Sequence, residues 1–95
     1  MAVKILIYRT ISDDQETVVR PLLKELRKFA LKSKGYISGE SLISGENLED
    51  QLIISSWESR DDWENFLESN EPKQIRYQVD QILGRESVYK LYYSR

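Results

Sequence analysis

Residues Leu52–Ser69, LIISSWESRDDWENFLES, carry a strand and a helix back to back. From Gln51 to Trp57 the residues are apolar, β-branched or small and end on an indole, the composition of a strand. Ser59 then places a hydroxyl where a helix N-cap needs an acceptor, and Asp61 and Asp62 put negative charge at the positive end of the helix. Trp63, Phe66 and Leu67 follow at the spacing of one helical face.

Downstream, Glu71-Pro72 is expected to interrupt this helix, because a residue before proline avoids the α region. A further helical stretch carries Ile75, Val79, Ile82 and Leu83 and stops near Gly84, and Glu86–Tyr93 (ESVYKLYY) reads as a strand. Upstream, Ser44-Gly45-Glu46-Asn47 is a turn, and Tyr36–Ser44 (YISGESLIS) is a strand hairpinned to the one ending at Trp57, with a bulge or close approach expected at Gly39. Before it, Val18, Val19, Leu22, Leu23, Leu26, Phe29 and Ala30 mark one face of a helix announced by Ser12-Asp13-Asp14 and closed by Gly35 as the C′ residue. Pro21 fits best in the first turn, so the helix is expected to begin later than Glu16. Val3–Thr10 (VKILIYRT) is the opening strand, with Val3, Ile5 and Ile7 on one side and Leu6 and Tyr8 on the other.

The order β-α-β-β-α-β, with a broken second helix, predicts an α+β, ferredoxin-like fold: a four-stranded antiparallel sheet with its helices on one face. The other face then lies bare, yet the first and last strands are apolar on both sides. A second copy of the chain in a twofold dimer covers such a face most simply.

The chain has 95 residues, room for one domain over residues 1–95. It contains neither histidine nor cysteine. That excludes Ser-His-Asp and Cys-His nucleophiles, thiolate redox chemistry, Cys/His zinc sites, two-His iron sites and the commonest haem ligand. The net charge of −2 sets up no global field for DNA or anionic membrane. The apolar run Ile5-Leu6-Ile7 lies between Lys4 and Arg9, too short for a secretory core or a membrane span, and a cysteine-free chain suits the cytoplasm.

The opening strand VKILIYR, the first-helix exit KGYISGESLIS and the block around Trp57, Ser59, Trp63 and Phe66 together resemble the antibiotic biosynthesis monooxygenase (ABM) family over nearly the whole chain. The resemblance implies a dimeric α+β barrel with a pocket in each subunit between helices and sheet. The haem-degrading branch of that family uses an Asn on the first strand, a Trp on the second helix and a ligating His farther along. Aligned through Trp57, these positions fall near Tyr8, Phe66 and Arg76, and none of the three residue types is present. What the resemblance leaves is cofactor-free oxygenation of electron-rich phenols, in which the substrate anion itself reduces O2 and the protein binds, orients and stabilises charge. No cofactor and no metal is expected.

On that reading Arg76 and Arg9 stabilise a phenolate or enolate, Tyr8 or Tyr77 hydrogen-bonds the substrate oxygen, and Trp63, Phe66 and Leu26 form apolar walls. Each has a plainer role beside it. Trp57, Trp63 and Phe66 look the same if they only pack the core, the two arginines if they are solvated, and the basic set from Lys24 to Lys34 if it is the exposed side of the first helix. A non-catalytic dimeric module that holds or senses a small hydrophobic or aromatic molecule in the same pocket is the alternative function. An RNA-recognition motif shares the element order, and Lys34-Gly35-Tyr36 matches the opening of its signature. That signature belongs on the third strand, however, and Ile37-Ser38 breaks its aromatic continuation.

Overall fold

A computed structural model describes all 95 residues. Its elements are β1 (Val3–Thr10), α1 (Asp13–Leu31), β2 (Tyr36–Ile43), β3 (Asp50–Trp57), α2 (Arg60–Glu68), α3 (Asn70–Leu83) and β4 (Val88–Tyr93). The strands form one sheet in the order β2-β3-β1-β4, every neighbouring pair antiparallel. This is the expected α+β, ferredoxin-like arrangement. No helix is long and apolar enough to cross a membrane.

Alternation along β1 divides the sheet. Val3, Ile5, Ile7 and Arg9 are buried beneath the helices, whereas Lys4 and Tyr8 are exposed on the opposite side. Through the register, Val3 is opposite Trp57 and Ile7 is opposite both Ile53 and Tyr89, so these neighbours share the helix-facing side. The open side presents Leu6, Tyr8, Leu52, Ile54 and Val88, an apolar band flanked by Lys4 and Lys90.

Two apolar clusters hold the helices down. Val3, Ile5, Ile7, Ala30, Trp57, Trp63 and Phe66 join the sheet to α1 and α2. Ile11, Val19, Val79 and Leu83, with Leu22, Leu23, Ile75 and Ile82 around them, bind α1 to α3. Gln15 adds a polar tie, donating from Nε2 to the Ile82 carbonyl at 3.3 Å.

Several local details depart from the sequence expectations. α1 begins at Asp13, not after Glu16, and Pro21 lies in its interior. A capping box starts the helix: Ser12 Oγ accepts from the Gln15 amide, and Gln15 Oε1 accepts from the Ser12 amide. The buried contacts of Val19 on one side of the proline and Leu22 and Leu23 on the other carry the helix through the hydrogen bond Pro21 does not donate. The second break falls at Ser69, whose backbone turns extended (φ −60°, ψ 140°), rather than at Glu71-Pro72. Pro72 occupies the first turn of α3, where a missing N–H leaves no helical bond unmade. The register irregularity in β2 lies between Tyr36 and Ser38. Gly39 is instead the close approach, since a Cβ there would stand 2.5 Å from Tyr36 Oη.

Gly35 lies beyond the Lys32 C-cap, in the turn into β2, with φ at +85°. Its carbonyl accepts from the Glu58 amide at 2.7 Å, and a Cβ on it would fall on the Asp62 carboxylate. Asp62 in turn accepts from Ser59 Oγ at 3.0 Å, so the glycine lets the entrance of β2 sit against the start of α2. Gly35→Ala combines a left-handed backbone with this clash and is expected to lower stability by about 1–3 kcal/mol in denaturant unfolding. A loss below about 0.5 kcal/mol, within the range of an ordinary surface substitution, would contradict this packing.

Candidate active site

A cavity of about 240 Å³ opens between the inner face of the sheet and the three helices. Ile7 and Ile53 of the sheet form its floor together with Trp57, and Leu23, Leu26 and Ala30 of α1 form one wall. Trp63 and Phe66 of α2 form the other, 6.0 Å apart between ring centres, and Trp57 lies 5.8 and 5.1 Å from them. Tyr89 of β4 closes the aromatic group, 5.8 Å from Trp63. Trp57 is fully buried and its indole N–H donates to Ser55 Oγ at 2.7 Å, so its polar edge is satisfied within the sheet.

Two arginines enter this apolar surround. Arg9, only 8% exposed, ends the inward row Val3-Ile5-Ile7 of β1. Its Nε donates to Ser87 Oγ at 2.9 Å, and Ser87 Oγ donates to Asp80 Oδ1 at the same distance. Burial pulls the Arg9 pKa below its ordinary value, nearby Tyr89 and Asp80 oppose that shift, and Arg76 adds to it by like-charge repulsion. Arg76 comes from α3, one helical turn before Val79. It donates one Nη to the Leu67 carbonyl at 2.8 Å, which ties α3 to the end of α2. Its Nε is buried with no acceptor, and Tyr89 Oη, beside Arg9, is likewise buried without a hydrogen bond. The three ion pairs of the chain are Arg20–Glu16, Arg60–Glu64 and Lys73–Glu68, so neither Arg9 nor Arg76 is in an ion pair.

Five of the seven residues singled out from the sequence thus line one cavity: Arg9, Leu26, Trp63, Phe66 and Arg76. The other two do not. Tyr8, 36% exposed, has the opposite parity to Arg9 in β1 and stands on the open side of the sheet, where Lys90 Nζ lies 5.4 Å from its ring centre. Tyr77, 62% exposed, points away from the α1 and sheet contacts that bury its helix neighbours. The phenols that do line the cavity are Tyr89 and Tyr36. Tyr36 packs edge-on against Trp57 at 5.3 Å, and the bare Cα of Gly39 leaves room for its hydroxyl. Lys24 and Arg27, read from sequence as part of a solvated helix face, reach the cavity rim.

A larger recess of about 560 Å³ lies at the rim of the sheet, lined by Tyr8, Leu42, Leu52 and Val88 of the open side and by the Arg85–Ser87 segment. Arg9 borders this recess as well, but Arg76 and the aromatic group of Trp57, Trp63, Phe66 and Tyr89 line only the smaller cavity. No group of three or more metal-ligating side chains forms. The chain has no histidine or cysteine to ligate haem iron, and the Arg76 guanidinium, held by the Leu67 carbonyl, does not coordinate iron.

The family model described as antibiotic biosynthesis monooxygenase matches residues 2–78. Among solved structures, a conserved protein from Methanosarcina mazei Go1 superposes with a TM-score of 0.90 at 19% identity, covering 100% of this chain and 94% of its own. Rv0793 from Mycobacterium tuberculosis gives 0.86 at 17% identity over 100% and 96% of the two chains. SnoaB, a cofactor-independent oxygenase from Streptomyces nogalater, gives 0.83 at 14% identity over 99% and 93%. These likenesses establish the shared fold. A comparison with curated protein sequences gave no match.

Because the Tyr89 hydroxyl stands beside buried Arg9 and offsets part of the effect of its burial, Tyr89→Phe is expected to lower thermal or denaturant stability by about 0.5–1.5 kcal/mol. Stability equal to or above the parent's would show that the hydroxyl gives Arg9 no support.

Proposed function

The chain belongs to the antibiotic biosynthesis monooxygenase family, and from that membership we propose a cofactor-independent monooxygenase that oxidises an electron-rich aromatic, a quinol or polyphenol-like small molecule, in the cavity between helices and sheet. The observation that carries this reading is the buried Arg9 and the half-buried Arg76, neither in an ion pair, inside an aromatic-walled cavity. A phenolate that reacts with O2 develops and redistributes negative charge, and fixed cations in a water-poor site stabilise such charge strongly. Arg76 and Arg9 take that role. Trp63, Phe66 and Leu26 hold the ring and exclude water, and Tyr89 takes the place at the substrate oxygen first assigned to Tyr8 or Tyr77.

The chemistry balances without a bound redox group. A phenol and O2 give a quinone and water: one oxygen atom enters the ring, the other leaves as water, and all the electrons come from the substrate. With no imidazole in the chain, the first proton goes to a carboxylate or is lost through the substrate's own acidity.

A homodimer belongs to the same proposal. The band of Leu6, Tyr8, Leu52, Ile54 and Val88 on the uncovered face is the surface that a second copy would bury, closing an α+β barrel. One domain per chain and a cytoplasmic setting complete it.

Oxygen uptake with a panel of naphthols and reduced quinones tests the activity. Consumption of O2 with quinone formation is expected, and Arg76→Ala is expected to slow turnover by about 10²–10³-fold, the usual effect of deleting a charge-stabilising donor. Unchanged turnover in Arg76→Ala would remove its role. Ligand-induced thermal stabilisation with no oxygen uptake would instead identify a binding module. In light scattering the dimer has twice the 11.2 kDa chain mass, and a single-chain species at micromolar concentration would contradict it.

A further inference from the structure

Arg9 and Arg76 share a cavity and neither forms an ion pair. Their hydrogen-bond partners are a neutral hydroxyl, Ser87 Oγ, and a neutral carbonyl, that of Leu67, and the carboxylate of Asp80 acts on Arg9 from beyond Ser87. Placing two like charges together in apolar surroundings without an anion is strongly unfavourable. Two like charges lining one cavity also repel each other. At the rim, Lys24 and Arg27 extend the positive field. Of the two acids there, Glu16 is engaged by Arg20 at 2.9 Å and Glu40 alone is free. A chain of net charge −2 therefore concentrates cations around one cavity, which is the arrangement that attracts and retains an anion.

We propose that the ligand of this cavity is a one- or two-ring aromatic acid whose carboxylate supplies the missing counter-ion of Arg9 and Arg76 while its ring lies against Trp63 and Phe66. This deepens the oxygenase reading and rests on it for the identity of the site. The carboxylate is the anchor, the phenol oxygen ortho to it lies within reach of the same two guanidinium groups, and the electron-rich ring carbon is the reacting centre. A carboxylate is ionised throughout the neutral range, whereas a phenol, with an ordinary pKa of about 10, gives no anion until it has lost its proton. Its two planar oxygens also match the guanidinium fork. The cavity, about 240 Å³, is smaller than the ~300–1,000 Å³ of sites for drug-sized molecules, which limits the ring count.

Calorimetric titration of the whole protein with hydroxynaphthoate, with its methyl ester and with naphthol tests the proposal. Hydroxynaphthoate is expected to bind at least about tenfold more tightly than either neutral probe, and added salt to weaken only the acid. Arg76→Gln is expected to abolish that preference, read as the ratio of acid to naphthol affinity in the same variant, and Arg9→Gln repeats the test if Arg76→Gln does not fold. Equal affinity for acid and neutral probes in the parent protein would overturn the proposal and leave the oxygenase reading intact. A preference that survives both substitutions would overturn the assignment of the anchor. Binding of none of the three would overturn both this inference and the reading of the cavity as the ligand site.

Discussion

Sheet and helices meet at Trp57, and the site exists because of how that indole is held. It stands at the end of β3, opposite both Val3 and Tyr36, with no exposed surface. Tyr36 packs against one part of it and Trp63 and Phe66 of α2 against another. Its N–H is satisfied by Ser55, two residues earlier on the same face. Two residues after Trp57 comes the Ser59 cap, so the direction in which α2 leaves the sheet is fixed within a few bonds of the indole. The aromatic wall of the cavity therefore follows from one strand end. Gly35 reinforces it by letting the β2 entrance sit against the Asp62 carboxylate.

That rigid frame surrounds a site that works against folding. Arg9 continues a row whose other members are Val3, Ile5 and Ile7, and an apolar side chain there would extend the core. Instead the row ends in a desolvated cation. Arg76 and Tyr89 add buried polar atoms that have no partner in the protein. Native structures satisfy nearly all such atoms, and the exceptions gather where a ligand completes the set. The two apolar clusters, one at the sheet and one between α1 and α3, provide the stability that offsets this local cost.

Most of the fold was legible in the sequence because its signals are local. Strand alternation, the Ser12 and Ser59 caps and the helical spacing of Val18–Ala30 are each decided by neighbouring residues. The errors came where tertiary contacts outweighed a local rule. Pro21 is tolerated inside α1 because packing on α3 holds both sides of it. Pro72 sits in a first turn, so the chain breaks at Ser69 instead. Of the residues named from the sequence, Arg9 and Arg76 line the cavity. Tyr8 does not, since adjacent residues of a strand face opposite sides of the sheet and Arg9 takes the inner one. Tyr77 fails likewise: its neighbours at three and four residues are Asp80 and Gln81, whereas Arg76 shares a face with Val79 and Leu83. Tyr89 could not be found this way, because its place depends on the β1–β4 register, which no local pattern contains.

The central claim is that the functional surface is the helix-covered, cationic side of the sheet rather than its open side. The chain has only two tryptophans, and both indoles belong to the cavity. Titrating an aromatic acid into the labelled protein while recording its nitrogen–proton NMR spectrum therefore reads the site directly. Shifts of the Trp57 and Trp63 indole peaks, together with the Arg76 Nε–H, are predicted. Shifts confined to the amides of Leu6, Tyr8, Leu52 and Val88, with both indoles unmoved, would contradict the account.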